Sequence, residues 1–478
     1  MDTKRLRQKI LDLAIRGKLV PQDPNDEPAS VLLERISAEK ERLIKEGKIK
    51  RSKKSTSDTP HYENMPFEIP KSWEWVSIAD IAIDMADGPF GSNLKASHYT
   101  KDREVRIIQL SNIGDEGWRE ENTKYTTFEH LKEISRSEVL PNDIIIAKMM
   151  PAGRAIICPN HEPAFVLSSD AVKLRPSKFI DVRYILHAIN SPIFQEQVQD
   201  NVQGVTRLRT SIEKLKKYFI PLPPYSEQKR IVKSIEQHLV LVDNIDFETN
   251  ILRIYINKCK AKILELAIHG KLVPQNSNDE PALDLLKRIN PSFVPCDNAH
   301  YENVPSNWTV CMVKEVFRIN PKTKASDNID AGFVPMSNIQ DSFKNSISFE
   351  PRTWGSIKKG YTHFEDGDIV VAKISPCLEN RKSAVIDGLP NGIGAGTTEL
   401  NVFRSEYVHP LYGLFFFKSD FFISQCVGSF NGVVGQQRVS TRIIEDMVFP
   451  VPPRQEQERI INKVNELFQI LDDISTNL

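Results

Sequence analysis

Two short segments of the chain carry residue types that could cut a nucleic acid. Segments 143–148 and 368–373 each begin with an aspartate and end with a lysine, as a metal-dependent nuclease centre does. Such a centre also needs a carboxylate two residues before the lysine, where this chain has Ile146 and Val371. Because a metal ion there would lack its oxygen ligands, the leading aspartates are interpreted as turn residues before a strand.

The motifs of other reactions are also incomplete. Leu222–Tyr225 reads L-P-P-Y, but an amino-methyltransferase needs a polar residue first, and the copy Val451–Arg454 also lacks the aromatic residue. The sequence has no G-x-G-x-x-G cofactor loop, no phosphate-binding G-x-x-x-x-G-K-[ST] and no H-E-x-x-H. The six cysteines form no C-x-x-C pair. We therefore expect no catalytic, cofactor-binding or metal-binding residues in this chain.

Side chains suited to nucleic-acid binding fall into two separate groups. Arginine bonds guanine, asparagine and glutamine bond adenine, and lysine or serine holds phosphate. Any one of these residues alone is as readily an ordinary surface group, but their recurrence predicts two DNA-binding regions. The candidates in the first group are Ser92, Asn93, Lys95, Gln109, Ser111, Asn112, Lys148, Arg154, Arg207 and Arg209. Those in the second are Lys322, Lys324, Ser337, Asn338, Lys373, Arg381, Lys382, Gln436, Gln437 and Arg438.

The chain that must position these groups repeats itself. Residues 9–29 return at 262–282 with 17 of 21 positions identical, and residues 221–231 return at 450–460. The offsets are 253 and 229, so both ends of the chain map onto neighbouring central positions. Internal repeats are considered first because they determine the overall architecture of a chain. We expect two repeats in a circular arrangement, with the chain beginning and ending inside one of them. The termini should then lie close together, and a pseudo-two-fold axis should relate the repeats.

The repeated segments read as long helices. Apolar residues three or four apart predict a helix from Ser226 to about Ile268. Segment 460–474 has the 4-3-4-3 spacing of a coiled coil, and segment 6–13 follows the same spacing. We expect the terminal helices to form a second long helix, antiparallel to the first, as a coiled-coil spacer. The apolar positions of the central helix are Ile231, Ile235, Leu239, Val242, Ile245, Leu252, Tyr255, Cys259, Ile263 and Leu266.

Two blocks of mixed character separate the helical segments. Short β-branched runs occur at 105–108, 144–147 and 369–372, and helical stretches at Val182–Gln199 and Pro410–Cys426. The predicted fold class is α+β, with two mixed α/β domains and two long antiparallel helices. The predicted segments are 1–58 for an N-terminal helical repeat and basic linker, 59–220 for the first domain, 221–290 for the central spacer, 291–449 for the second domain and 450–478 for the C-terminal spacer helix.

The composition is that of an ordinary globular protein, with 40% hydrophobic residues, 26% charged residues and zero formal net charge. Nucleic acid would have to be bound through local patches rather than bulk charge. The basic stretch 38–58 is interpreted as a solvated linker. No apolar run approaches the ~20 residues of a membrane span, and the N-terminus lacks a signal-peptide core. We expect a cytoplasmic protein with reduced cysteines and no membrane partner.

The chain resembles the specificity (S) subunit of type I restriction–modification enzymes. The resemblance rests on the repeated L-x-x-A-I-x-G-K-L-V-P-Q, on P-L/V-P-P-x-x-E-Q-x-R-I before each long helix and on the D-G-P-F-G-S loop at 87–92. It implies two target recognition domains that read the halves of a split, asymmetric double-stranded DNA site, and a spacer on which two modification subunits dock. It also implies that S-adenosylmethionine, ATP and Mg belong to the partner modification and restriction subunits, and that this chain is not an enzyme.

Two other functions agree with parts of the sequence. A coiled-coil assembly protein without DNA binding would fit the neutral charge, and salt-dependent binding to random duplex DNA would exclude it. A stand-alone DNA methyltransferase or nuclease would fit the partial motifs. Turnover by the purified chain alone would support that second alternative.

Overall fold

The structure, a computed structural model, divides the chain into two compact units. Unit 1 is Met1–Phe247 and unit 2 is Glu248–Leu478, and the division falls inside one helix. The segment boundaries predicted from the sequence stay predictions. The residues that the structure describes are 2–49, 65–90, 93–149, 151–200, 209–296, 304–430 and 437–478.

Each unit begins or ends with a long helix and contains several short ones. The helices that lie in unit 1, or begin there, are α1 Thr3–Ile15, α2 Ala29–Lys45, α3 Ile78–Ile81, α4 Phe128–Glu133, α5 Val182–Ile189, α6 Pro192–Gln199, α7 Ile212–Leu215 and α8 Tyr225–Ile268. Helix α8 continues into unit 2, where α9 Ala282–Ile289, α10 Val313–Val316, α11 Trp354–Ile357, α12 Pro410–Phe417, α13 Asp420–Val427, α14 Thr441–Glu445 and α15 Arg454–Thr476 follow.

The strands of unit 1 form two four-stranded sheets, ordered β6-β3-β10-β7 and β2-β11-β8-β9, and two strand pairs, β1-β12 and β4-β5. All neighbours are antiparallel except β3 and β10. The strands are β1 Glu74–Ser77, β2 Ala82–Asp87, β3 Val105–Ile108, β4 Ile113–Gly114, β5 Gly117–Trp118, β6 Tyr125–Thr126, β7 Glu138–Val139, β8 Ile144–Ala147, β9 Ala155–Ile157, β10 Phe165–Leu167, β11 Ala171–Pro176 and β12 Phe219–Leu222.

Unit 2 repeats this topology. Its sheets are ordered β16-β15-β20-β17 and β14-β21-β18-β19, and its strand pair is β13-β22. The neighbours β15 and β20 are again the parallel pair. The strands are β13 Thr309–Met312, β14 Arg318–Ile319, β15 Asp330–Val334, β16 Glu350–Thr353, β17 Thr362–Glu365, β18 Ile369–Ala372, β19 Ser383–Val385, β20 Ile393–Gly396, β21 Leu400–Arg404 and β22 Val448–Val451.

The predicted β-branched runs form central strands. Strands β3, β8 and β18 cover the runs predicted at 105–108, 144–147 and 369–372, and all their residues are buried. A strand that is buried on both faces keeps a continuous apolar sequence instead of an alternating one, and only the buried Arg106 of β3 departs from this rule. These predictions are confirmed, and they explain why three of the four residues in β8 are isoleucine.

The two predicted helical stretches inside the blocks are each two helices. Helix α5 ends at Ile189 and α6 begins at Pro192, which favours the first position of a helix. Helices α12 and α13 are separated in the same way at Lys418 and Ser419. In both cases the apolar faces pack on the core of their own unit.

The prediction of one long central helix is confirmed. Helix α8 has 44 residues and starts one residue before the predicted Ser226. Its predicted buried stripe is correct in unit 1, where Ile231, Ile235 and Val242 are buried. The structure therefore places the first half of the stripe against the core of unit 1.

In unit 2 the predicted stripe of α8 is partly wrong. Leu252 and Tyr255 are exposed, whereas Ile256 and Leu264 are buried. Successive helical residues are about 100° apart around the helix axis. Because Ile256 follows the predicted Tyr255 by one residue, the buried face of the helix lies beside the predicted face. The prediction included Leu252 and Tyr255 and left out Ile256 and Leu264, although the last two face the core of unit 2.

In unit 1, helix α1 runs antiparallel to α8. Arg7 of α1 pairs with Asp243 and Asp246. Further along the chain, Gln22 donates to Glu227 near the start of α8, with 2.6 Å between Nε2 and Oε1. Since increasing numbers on one segment meet decreasing numbers on the other, the two directions are opposite.

In unit 2, helix α15 has the same relation to α8. Lys260 of α8 pairs with Asp472, and Gln275, which follows α8, donates to Glu456 with 2.6 Å between Nε2 and Oε1. These contacts correspond to those of unit 1 at offsets 253 and 229. The expected coiled-coil seam and the expected proximity of the termini stay predictions.

A buried glutamate stands at the start of each long helix. Glu227 is 1% exposed and accepts hydrogen bonds from Gln22 and from the indole Nε1 of Trp73, the latter at 2.9 Å. Burial raises the pKa of Glu227, and the two hydrogen bonds oppose that rise. Burial also raises the pKa of Glu456, which is 0% exposed.

Each unit also has a core ion pair, formed by Asp143 and Arg175 in unit 1 and by Asp368 and Arg404 in unit 2. Arginine Nε lies 2.7 Å from Oδ1 in both pairs. The carboxylates also accept the backbone N–H three residues earlier, which closes a turn before β8 and β18. The interpretation of these aspartates as turn residues is confirmed.

The basic stretch 38–58 is not wholly a linker. Helix α2 extends to Lys45, and Lys40 donates to the carbonyl oxygens of Ala79 and Asp80, each at 2.7 Å. The linker interpretation is therefore wrong for residues 38–45, and most of the rest lies outside the described residues. Among the helices that the structure describes, none is long and apolar enough to cross a membrane.

Replacing Ile235 by aspartate should unfold unit 1. Ile235 is 0% exposed in the core that contains α8, and an unpaired charge there costs about 3 kcal/mol or more. Urea denaturation of the full chain measures the effect. Val240→Asp on the same helix is the control, because Val240 is 56% exposed. Equal stability of the two variants would contradict the assignment of the buried face.

The buried glutamates predict a specific pH dependence. The pKa of each carboxyl group is higher in the folded chain than its ordinary value of 4.5. The folded state therefore becomes less stable, relative to the unfolded state, as the pH rises above that value. Glu227→Gln and Glu456→Gln abolish that titration. The free energy of unfolding of each variant, relative to the parent chain, should therefore increase between about pH 5 and pH 7. A constant or decreasing difference would show that these carboxyl groups do not have raised pKa values.

Candidate nucleic-acid interface

Three segments of unit 1 meet at the turn between β10 and β11. The backbone N–H of Lys148 donates to the carbonyl oxygen of Asp170 at 2.9 Å. The backbone N–H of Thr210 donates to the carbonyl oxygen of Lys148, also at 2.9 Å. Arg209 then places its Nη2 atom 2.6 Å from Oδ1 of Asp170. The junction thus holds a strand end, a turn and the segment before α7 together.

Unit 2 builds the same junction. The backbone N–H of Lys373 donates to the carbonyl oxygen of Glu399 at 2.9 Å, and that of Val439 donates to the carbonyl oxygen of Lys373 at 3.0 Å. Arg438 binds Glu399 through Nε to Oε2 at 2.9 Å and through Nη2 to Oε1 at 2.8 Å. We refer to Asp170–Arg209 and Glu399–Arg438 as the acid–arginine pairs.

The acid–arginine pairs are open to solvent. In unit 1 the side chains of Arg209 and Asp170 are 50% and 33% exposed. In unit 2 those of Arg438 and Glu399 are 47% and 26% exposed. The hydrogen bonds from Arg438 lower the pKa of Glu399, and the charge of nearby Lys373 acts in the same direction. Glu399 is therefore ionised at neutral pH.

The D-G-P-F-G-S loop at 87–92 of unit 1, called here the glycine-rich loop, is pinned to this junction at its start. The backbone N–H of Gly88 donates to the carbonyl oxygen of Ala171 at 3.1 Å. A Cβ atom on Gly88 would lie 1.7 Å from the carbonyl oxygen of Ser168. Only glycine permits this approach. Beyond it, the loop presents Phe90 with 63% of its surface exposed.

Two predicted residues line a recess beside the junction. Gln109 and Ser111 face a cavity of about 490 Å³ that Asp170 also lines. Ser111 accepts a hydrogen bond from the side chain of Asn122 at 3.0 Å. The lining includes hydroxyl, amide and carboxylate groups, which can hydrogen-bond to the edges of bases.

Asn112 was predicted to contact DNA, and this prediction is wrong. Its side chain is 0% exposed. Its Oδ1 atom accepts the backbone N–H of Gln109 at 2.8 Å. Its Nδ2 atom donates to the carbonyl oxygens of Arg119 and Glu121. These bonds stabilise the turn that positions Gln109 and Ser111, so Asn112 has a structural role.

Lys148 is also a structural residue rather than a DNA ligand. Its side chain is 5% exposed and its Nζ atom lies 2.7 Å from Oδ1 of Asp87. The pair ties β8 to the start of the glycine-rich loop. Arg154 pairs with Asp115 and donates to the carbonyl oxygen of Ile113. Because Arg154 keeps some exposed surface, its DNA contact stays a prediction.

In unit 2 Arg381 makes several contacts within the fold, and its DNA contact stays a prediction. Its guanidinium group binds Asp420 and the carbonyl oxygen of Lys418, and it stacks on Phe343. It thereby holds a loop against α13. Lys382 donates to the carbonyl oxygen of Met336 at 3.1 Å, and its role at DNA stays a prediction.

Other predicted residues of unit 2 are accessible. Lys322, Lys324 and Ser337 are exposed, and Asn338 is half-buried. Lys373 is half-buried, and Gln437 belongs to the segment that bonds Ser375 through its carbonyl oxygen. In unit 1, Asn93 and Lys95 are exposed beyond the glycine-rich loop. Ser92, Arg207 and Gln436 lie outside the described residues.

Asp170, Glu399 and Phe90 were not among the predicted site residues. The two acids could have been found, because Asp170 and Glu399 are 229 residues apart, as Arg209 and Arg438 are. The predicted residues were cations, amides and serines, so no carboxylate was among them. Among the residues that the structure describes, no group of three or more histidine, cysteine, aspartate or glutamate residues could hold a metal ion.

Comparison with known families explains the repeated units. The model of the type I restriction modification DNA specificity domain matches residues 70–253 and again residues 305–478. The two matches cover most of the chain, one in each repeat. The chain belongs to this family.

Individual relatives agree with the family assignment. The specificity subunit of the type I restriction enzyme EcoAI from Escherichia coli is 42% identical over 238 residues, which are 46% of this chain and 40% of that protein. The match thus spans about two fifths of that relative's length. The EcoKI specificity subunit from Escherichia coli strain K12 is 22% identical over 85% of this chain and 84% of its own length.

The fold also matches a solved structure that concerns complex assembly and conformational transition of the type I R-M system. The TM-score is 0.53 at 14% sequence identity, over 86% of this chain and 94% of the other. This likeness supports the predicted α+β fold.

Replacing Gly88 by alanine should disturb the recess of unit 1. The added Cβ atom would overlap the backbone of Ser168, so the loop must shift or the unit must lose about 2 kcal/mol. Thermal unfolding and DNA binding by the full chain measure both outcomes. Gly428→Ala is the control, because its Cβ atom would have ordinary contacts at 3.5 Å. Unchanged stability and DNA binding in Gly88→Ala would show that the loop is not pinned.

Proposed function

We propose that this chain is the DNA sequence-specificity subunit of a type I restriction–modification complex. Each unit reads one half of a split, asymmetric double-stranded DNA site. The observation that carries the proposal is the solvent-exposed junction with an acid–arginine pair, which recurs in two units whose sequences have otherwise diverged. Base-reading side chains on two separate rigid supports are what a bipartite site requires.

The chain itself does no chemistry in this proposal. S-adenosylmethionine, ATP and Mg bind to partner modification and restriction subunits, and two modification subunits dock on the specificity subunit. The names of the relatives as specificity subunits of restriction enzymes support the division of labour. A cytoplasmic location, where the DNA substrate lies, is part of the same proposal.

The long helix offers surfaces for those partners. In unit 1, Val240, Leu241 and Phe247 are each more than half exposed. In unit 2, Ile254 and Tyr255 are also more than half exposed. Apolar side chains grouped on an exposed helix favour protein–protein contact. We assign these surfaces to the modification subunits.

The two other functions have less support. A stand-alone methyltransferase or nuclease would need the incomplete motifs of the sequence to act, and the aspartates of the nuclease-like segments are used in the core ion pairs. An assembly protein without DNA binding would not need the exposed, hydrogen-bonding recess at the junction of unit 1.

The proposal is tested by mapping methylated adenines across the genome of the host, with and without this chain. A split consensus that vanishes when the chain is deleted is the expected result. Methylation that continues unchanged, or methylation by the purified chain alone, would overturn the proposal.

Salt dependence gives a second prediction. Lys322 and Lys324 are exposed lysines in the group predicted to touch DNA. Each lysine that neutralises one phosphate contributes about one unit to the slope of log K against log salt. The variant with Lys322→Ala and Lys324→Ala should reduce that slope by up to about two.

The control changes two exposed lysines of unit 2 that are not candidates, Lys271→Ala and Lys287→Ala. The affinity of each purified complex for duplex DNA is measured between low and physiological salt. The control should keep the parent slope. An equal loss of slope in both variants would mean that the effect comes from overall charge rather than from a contact.

A further inference from the structure

The acid–arginine pairs differ physically from the core ion pairs. The carboxylates of the core ion pairs are 3% and 1% exposed, whereas those of the acid–arginine pairs are 33% and 26% exposed. An exposed ion pair contributes little to stability, about 0–1 kcal/mol. Its recurrence in two diverged units therefore indicates a role beyond the small stabilisation of the junction.

A carboxylate is an unfavourable group to hold against DNA. The duplex is a polyanion, and Asp170 and Glu399 would be repelled by its phosphates. Each carboxylate is balanced by its arginine, so the pair carries no net charge. A neutral pair adds almost nothing to the electrostatic, sequence-independent part of binding. Its value at the interface must come from hydrogen bonding to bases.

The chemistry of the pair matches one kind of base pair. In the major groove guanine presents two acceptors, N7 and O6, and cytosine presents one donor, the N4 amino group. Arginine carries its five N–H donors in a planar fork. In unit 1 the Nη2 atom of Arg209 binds Asp170. An arginine suits guanine and an adjacent carboxylate suits cytosine. The bond lengths of 2.6 to 2.9 Å hold the two groups side by side.

The backbone gives the pair a fixed place. In both units the acid lies in the turn after a sheet strand and the arginine enters from a separate segment, and a backbone bond through Lys148 or Lys373 joins the two. Side chains whose segments are fixed by backbone hydrogen bonds lose little conformational freedom when they bind DNA. The pair is therefore prepared before DNA arrives.

We infer that each acid–arginine pair reads a G·C base pair, with the arginine on guanine and the carboxylate on the amino group of cytosine. The inference rests on the proposed function and adds to it the base class that these four residues recognise. Each half-site accordingly contains a G·C pair at a corresponding position.

The test uses the full chain assembled with its modification subunits. The probe is a pool of duplexes with two randomised half-sites, from which bound molecules are selected and sequenced. In the variant with Glu399→Gln and Arg438→Gln, the net charge of the pair stays zero. This variant should lose about ten- to a hundred-fold of discrimination at one G·C position of one half-site. The salt slope and the other half-site should stay unchanged.

The matched variant in unit 1 has Asp170→Asn and Arg209→Gln, and it should change the other half-site only. Arg438→Lys keeps the charge but loses the fork that bonds guanine, so it should lose the same discrimination without unbalancing the pair. This single variant also tests the inference if a double variant folds poorly.

Two results would overturn the inference. One is an unchanged consensus in all three variants, with or without weaker binding, which would make the pairs structural. The other is a responding position that is not G·C. If the parent complex itself selects no split consensus, the proposed function fails first. A parent consensus that the variants leave intact refutes the inference alone.

Discussion

The buried glutamate at the start of each long helix is the contact on which the architecture depends. Glu227 joins three distant parts of unit 1, since it bonds Gln22 from the repeated segment and Trp73 from the start of the first domain. A buried carboxylate without such partners would cost several kcal/mol. The helix, the repeated segment and the domain must therefore form together. Glu456 fixes unit 2 in the same way through Gln275.

This constraint explains why the helical segments are nearly identical while the domains are not. Side-chain contacts of the segment 9–29 with the long helix recur in the segment 262–282. Arg230 binds Asp26, and the equivalent Arg459 binds Asp279, both at 2.5 Å. A change in one partner leaves the other unsatisfied, so such contacts resist divergence. Within the domains, different chemistry does the same task. In unit 2 Lys418, whose pKa burial lowers to about 7, holds the end of α12 through two carbonyl oxygens, and in unit 1 Asn190 holds the end of α5.

The sequence predicted the frame better than the site for a physical reason. Helix α8 and strands such as β8 follow from apolar spacing, which is a local property of the chain. The structural role of Asn112 depends on the backbone of residues 119 and 121. The role of Lys148 depends on Asp87 from another strand. No local pattern distinguishes a lysine that faces DNA from one that neutralises a half-buried aspartate. The offset of 229 did contain the missing information, because it aligns Asp170 with Glu399.

A chain with no net charge cannot gain much affinity for DNA from bulk electrostatics. Weak, specific contacts can still be effective when two of them act on one duplex, because the second contact forms at a high effective concentration once the first has formed. Each contact alone can then stay weak enough to release a wrong sequence. Neutral acid–arginine pairs suit this regime, since in the role inferred for them they would add selectivity without adding attraction to every phosphate backbone. Zero net charge thus agrees with the proposed role of discriminating between DNA sequences.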